Sequence, residues 1–268
     1  MVSMLPILAY QKIYFDFFSN SQWEKHLAYA YNVDYWQGTS YVSLYADMLK
    51  MRYANYPKDS TGNGMKDGRG GKWKNAALVQ GYSHHNDNMP HDEYVAWQRA
   101  CLTEMMRVIK SDGAIFYNHK WRVQNGLLQD RQDIVSGIPV RQIIIWRRKG
   151  GINFNKGYFL PTYEVVYLIA KPKFKLVEKA NAVGDVWEFT QEMNNPHPAP
   201  FPIAFAERCI ASTSAQVILD PFMGSGTVAL VSKRLKRNFI GIDISPQYCQ
   251  YAEQRIAEDT HQLSLEIT

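Results

Sequence analysis

Cysteine is scarce in this chain, and what there is does not pair. Cys101, Cys209 and Cys249 are odd in number, widely separated, and set in apolar, helical-looking contexts. The expectation is buried reduced thiols in a cytoplasmic protein, not a disulfide framework. No paired-Cys or Cys/His spacing for zinc occurs, and the adjacent His84 and His85 point in different directions, so no metal is expected. Nothing approaches eighteen consecutive apolar residues, which argues against a membrane span. The opening MVSMLPILAYQKIYF has neither a basic start nor a small-residue cleavage site, so a secretory signal is not expected. Charge of one sign is not in great excess either. The net charge of +5 permits a polyanionic partner without requiring one.

What is there fits a globular chain with a proper core. Hydrophobic residues make up 46% and charged residues 21% of 268, enough for one large domain over 1–268. Residues 1–57 are atypical and hold nine of the seventeen tyrosines. A helix is conceivable over 40–56. Residues 58–90 read as a long loop with five glycines between Gly62 and Gly71. PHDEYVAWQRACLTEMMRVIKSDG is the best helix: Pro90 and Asp92 suit its start, Gly113 its end, and Tyr94, Trp97, Cys101, Leu102, Met105, Met106 and Ile109 form an apolar stripe. The aromatic members of that stripe read most simply as core. GAIFYNHK, RQIIIWRR and YEVVYLIAKP read as buried strands, 171–195 as polar and irregular, and FPIAFAERCIAST as a helix. Asn118 and His119 end a strand, where polar pairing is the simpler reading than catalysis.

The last quarter carries the chemistry. QVILD, PFMGSG, TVALVSKRLK, NFIGIDI and SPQYCQYAEQRIAED alternate strand, glycine loop, helix, strand and helix. Gly224 and Gly226 let backbone approach a ligand, and the helix opening at Thr227 offers free N–H groups. The loop ends in GSGT, without the lysine of a phosphate loop. Ala229 stands where a dinucleotide fingerprint keeps its third glycine, a tolerated substitute that leaves this reading open. Asp243, at the end of the second strand, can accept both hydroxyls of a ribose. Asp220 tolerates a cationic group and disfavours an anion, and Phe222 adds an apolar face. S-adenosylmethionine has a ribose, an adenine, an ammonium and a sulfonium but no phosphate, and fits this set.

LDPFMGSGTVALVSKRLKRNFIGIDISPQYCQYAEQRI resembles the C-terminal half of the β-class DNA amino-methyltransferases, which act on exocyclic amino groups of adenine or cytosine. NPHPAPFPIAFAERCIAST is similar to the family's helix over the methionine end of the cofactor. MMRVIKSDGAIFYNHK and IIIWRRKGGINFNKGYFLPTYEVVYLIAKP resemble its central strands. The resemblance covers roughly 58–258. It implies an α/β, Rossmann-like methyltransferase fold with a mostly parallel central sheet, helices on both faces and a circularly permuted motif order, with the cofactor-binding half last, at 196–258. It implies S-adenosylmethionine at Asp220, Phe222, Gly224, Gly226, Thr227 and Asp243, with Asp16 of KIYFD near the adenine. It implies double-stranded DNA as partner, a target-recognition segment at 171–195, restriction–modification as context, and leaves a homodimer open.

A flipped base needs basic loops along the phosphates. Lys66, Arg69, Lys72, Trp73 and Lys74 suit that role, as do Arg147, Arg148 and Lys149. One piece is missing. The family's Asp-, Asn- or Ser-Pro-Pro-aromatic signature has no counterpart, because no two prolines are adjacent. Those groups accept hydrogen bonds from the target amine and aim its lone pair at the methyl. The expectation is therefore weak or absent methyl transfer, with a non-catalytic DNA-binding scaffold as the alternative. No catalytic residue is assigned.

Overall fold

The computed structural model describes residues 14–16, 26–27, 90–124, 126–148, 153, 155–190, 192, 195, 200–243 and 245–265. Two short strands, β1 (Tyr14–Asp16) and β2 (His26–Leu27), precede the first described helix, α1 (His91–Val108). Pro90 caps α1, Asp92 and Glu93 favour its N-terminal dipole, and Arg107 favours its last turn. The helix stops before the expected Gly113, because Ile109 is already extended and Gly113 N–H closes a turn onto the Lys110 carbonyl.

From there the chain runs through β3 (Ala114–His119), the hairpin β4 (Arg122–Gln124) and β5 (Leu127–Gln129), the single turn α2 (Gln132–Val135), β6 (Val140–Arg147) and β7 (Tyr163–Ala170). β8 (Val186–Glu188) lies inside the stretch expected to be irregular. α3 (Ile203–Ala211), β9 (Val217–Asp220), α4 (Thr227–Arg234), β10 (Asn238–Gly241) and α5 (Pro246–Leu265) complete the described fold.

The class is α/β, but the described strands form mixed sheets rather than a mostly parallel one. One four-stranded sheet has the order β3-β7-β6-β8 and a second β2-β1-β10-β9, while β4 and β5 form a two-stranded antiparallel sheet of their own. β9 with β10 and β6 with β8 are parallel, while β3–β7, β6–β7, β1–β10 and β1–β2 are antiparallel. Among the described residues no helix lies between β6 and β7, and the two strands pair antiparallel.

β7 is the centre of the first sheet. Its residues alternate between two cores, as strand geometry requires. Val165, Tyr167 and Ile169 pack with Leu102 of α1 and Ile134 and Val135 of α2. Val166, Leu168 and Ala170 pack with Ile144, Trp146, Phe205 and Cys209 on the other face, where α3 lies. A strand covered on both faces reads as a continuous apolar run, which is why YEVVYLIA was legible. In the second sheet, Met223, Ala229, Phe239, Cys249 and Ala252 form a third core between β10, α4 and α5. All three cysteines are buried free thiols.

The two sheets present their edges, β3 and β9, to one cavity of about 940 Å³. Among the described residues no strand pairs with either edge on that side. No described helix is long and apolar enough to cross a membrane.

Candidate functional site

The glycine loop forms one wall of this cavity. Ile242 N–H donates to the Asp220 carbonyl at 2.9 Å and Met223 N–H to the Ile242 carbonyl at 2.8 Å, so the strand ladder continues into the loop. Gly224 and Gly226 have φ of 51° and 76°, in the left-handed region. At Gly226 a Cβ would lie 2.5 Å from the Ala252 Cβ, so α5 packs where any side chain would stand. The N-cap of α4 is thus a residue without a side-chain oxygen, and no side chain caps the first-turn N–H groups.

Both carboxylates hold backbone. Asp243 Oδ2 accepts from Gly224 N–H and Oδ1 from Ser245 N–H, each at 2.8 Å. These bonds fix the carboxylate while leaving lone pairs for further donors. Asp220 Oδ1 accepts from Phe222 N–H at 3.1 Å. Burial pushes the Asp220 carboxyl up to about 6, and the nearby Asp243 charge adds to the rise. Ser245 N-caps α5, its Oγ accepting from Tyr248 N–H at 3.4 Å, with Pro246 at the first helical position.

Asp220, Phe222, Gly224, Thr227 and Asp243 all line the cavity. Gly226 instead lies beneath, against Ala252. Asp16 is in register with Phe239, on the side of β10 away from β9. Lys66, Arg69, Lys72, Trp73, Lys74 and Lys149 lie outside the described residues, as does any helix over 40–56. Arg147 donates to Glu188 at 2.6 Å, and Arg148 pairs with Glu164 at 2.8 Å beside the Trp146 ring. Both guanidinium groups therefore have protein partners already.

The opposite wall comes from α1 and β3. Trp97, expected to be plain core, meets Phe222 edge-on at 5.8 Å and lines the cavity, as does Tyr94. Leu102 of the same stripe is fully buried. His119 carries polar pairing on both ring nitrogens. Nδ1 faces the Lys120 carbonyl at 3.0 Å, so it bears the hydrogen, and Nε2 accepts from the Tyr94 hydroxyl at 2.6 Å. Burial pulls the His119 pKa down to about 4, and the positive Arg131 side chain opposes its protonation too. Arg131 is 2% exposed, holds a left-handed backbone and sits near the Tyr94 ring. Asn118 donates to the Val165 carbonyl, and Gln98 accepts from the Tyr117 hydroxyl. The cavity thus has a loop wall with two carboxylates and the first turn of α4, opposite a wall from α1 and β3 that carries Tyr94, Trp97, Asn118 and His119.

The model of a DNA methylase family matches residues 31–254. That match reaches further back than 58, into the tyrosine-rich segment. A type II methyltransferase of Bacillus subtilis, M.BglII, is 28% identical over 210 residues, covering 63% of this chain and 58% of that protein. M.HpaI, a type II methyltransferase of Haemophilus parainfluenzae, is 28% identical over 205 residues, covering 67% and 64%. This chain spans about three fifths of the length of these curated relatives. A selenomethionine crystal structure of a protein described as a DNA modification methylase of Thermus thermophilus has a TM-score of 0.50 at 22% identity. It covers 63% of this chain and 80% of that one, and shares the fold.

Proposed function

We propose, from the premise that the chain belongs to the DNA methylase family of N4/N6 amino-methyltransferases, that it binds S-adenosylmethionine at the glycine loop and acts on an exocyclic amino group of adenine or cytosine in double-stranded DNA. The observation that carries this reading is the meeting of Asp220, Phe222, Gly224, Thr227 and Asp243 on one wall of a single cavity. When bound, S-adenosylmethionine supplies the electrophilic methyl of its sulfonium. The residues present fit it. Asp243, already oriented by two backbone N–H groups, accepts from ribose hydroxyls. Asp220 tolerates a positive group, the uncapped N–H groups at the start of α4 suit a carboxylate, and Phe222 and Trp97 flank an aromatic ring.

At about 940 Å³ the cavity has room for a base as well as a cofactor. The wall of Tyr94, Asn118 and His119 is where we place that base. Tyr94 gives its hydrogen to His119, so its oxygen keeps lone pairs to accept from an incoming amine. Phosphate contacts are assigned to Lys66, Arg69, Lys72, Trp73 and Lys74, with Arg147 and Arg148 able to exchange carboxylate partners for phosphate at the end of β6. Asp16 is assigned to the adenine end, and recognition to 171–195. The site of action is the cytoplasm, where the substrate is, and a homodimer is compatible with the reading.

The missing Pro-Pro-aromatic signature favours a second reading, a DNA-binding scaffold that retains the cofactor site. Titration calorimetry with S-adenosylhomocysteine tests the first step. Asp243→Ala should abolish the heat of binding. An unchanged isotherm would remove the cofactor assignment. Methyl transfer from labelled cofactor to duplex DNA then separates enzyme from scaffold. We expect slow transfer or none, and rapid turnover would reject the scaffold.

A further inference from the structure

Arg255 lies on α5, outside the lining of the cavity, yet it reaches the glycine loop. Its Nη1 donates to the Ser225 carbonyl at 3.3 Å and to Thr227 Oγ1 at 3.0 Å, and its Nη2 donates to Glu192 Oε1 at 2.8 Å. The two side chains are 14% and 22% exposed, so the pair is mostly withdrawn from water. Glu192 belongs to the segment leading into α3, and Pro200 and Phe201 of that segment line the cavity. The same Glu192 oxygen accepts from Asn195 Nδ2 at 3.0 Å.

We propose that Arg255 is a positioning residue for the cofactor site: it sets the shape of the glycine loop and ties that loop to the segment entering α3. The inference rests on the cofactor reading above. Ser225 and Thr227 flank Gly226, the left-handed residue that has no side chain to stabilise its own conformation. Ala252, one turn earlier on α5, presses on Gly226 from the same helix face. Ala252 thus fixes where the turn sits, and Arg255 fixes how its peptide planes are rotated. Holding the Ser225 carbonyl toward α5 fixes the peptide from which the first turn of α4 departs.

The guanidinium stands close to the positive end of α4, where a cation is disfavoured. Glu192 neutralises it. The arrangement therefore needs both members, because either alone leaves an uncompensated charge in a poorly hydrated place. One chemical consequence follows. A residue that touches no cofactor atom, Glu192, controls cofactor affinity through the loop on the far side of Arg255.

The test uses the full chain and three variants, Arg255→Gln, Arg255→Lys and Glu192→Gln, with the double variant Arg255→Gln/Glu192→Gln. S-adenosylhomocysteine affinity is read by calorimetry, loop order by amide hydrogen exchange over 222–230, and global stability by thermal unfolding. Arg255→Gln should weaken affinity about tenfold or more, the scale of charge-assisted hydrogen bonds, and speed loop exchange. Glu192→Gln should do the same, the double variant should be no worse than the single ones, and Arg255→Lys should recover part of the loss. Wild-type affinity and unchanged exchange in Arg255→Gln would overturn the proposal, and so would additive losses in the double variant. If the wild type binds no S-adenosylhomocysteine but Arg255→Gln still speeds exchange over 222–230, the positioning role stands and the cofactor reading falls.

Discussion

At the scale of single residues, Asp220 gives the site a pH response of its own. The folded Asp220 carboxyl keeps its proton until about pH 6, against an ordinary value of 3.8. A sulfonium is attracted only by the ionised form, so S-adenosylmethionine affinity should rise between pH 5 and 7 and level off above. Asp220→Asn should flatten that dependence in calorimetry. For the fold the sign is opposite. A raised pKa contributes stability below 3.8 and loses it as pH climbs through 6. Asp220→Asn should therefore raise the melting temperature at pH 8 relative to the wild type, and a lower one would contradict the burial argument. Asp220, Phe222, Gly224, Thr227 and Asp243 were legible from sequence because strand, loop, helix and strand follow one another and spacing alone brings them together. Arg255 and Glu192 were not, since 63 residues separate them and only the packing of α5 makes them neighbours. Trp97 looked like core because its helical stripe is apolar, and a stripe does not reveal whether it faces a sheet or a cavity.

At the scale of elements, the turn from β9 into α4 leaves no room for a side chain at Gly226. Gly226→Ala would add a methyl group against Ala252 and strain a φ of 76°. We expect a loss of about 1–3 kcal/mol or more from the backbone conformation alone, read by chemical denaturation, and no detectable S-adenosylhomocysteine binding. A smaller residue at 252 should restore part of it, so Ala252→Gly in the Gly226→Ala background is the informative partner. Elements with one clear period were readable: α1 from its stripe, β7 from its unbroken apolar run. β8 was not, because three residues in a polar stretch carry no period, and only pairing with Ile145, Trp146 and Arg147 makes them a strand. The mixed strand directions were equally hidden. Apolar runs report burial, and direction is set by which strands the connections allow to meet.

At the scale of the whole molecule, the net charge of +5 is modest, so DNA binding should depend on where the cations lie. Binding to a labelled duplex, followed by anisotropy, should weaken by roughly tenfold or more as salt rises from about 50 to about 200 mM. Affinity that ignores salt would count against phosphate contacts. The cavity lies between the edges of two sheets, and Trp97 and Phe222 meet across it, one from α1 and one from the loop after β9. Indole emission is sensitive to what lies against the ring. This contact therefore gives the protein its own optical gauge of how far α1 stands from the glycine loop. The difference spectrum between wild type and Trp97→Phe would follow that separation in real time, with no dye attached.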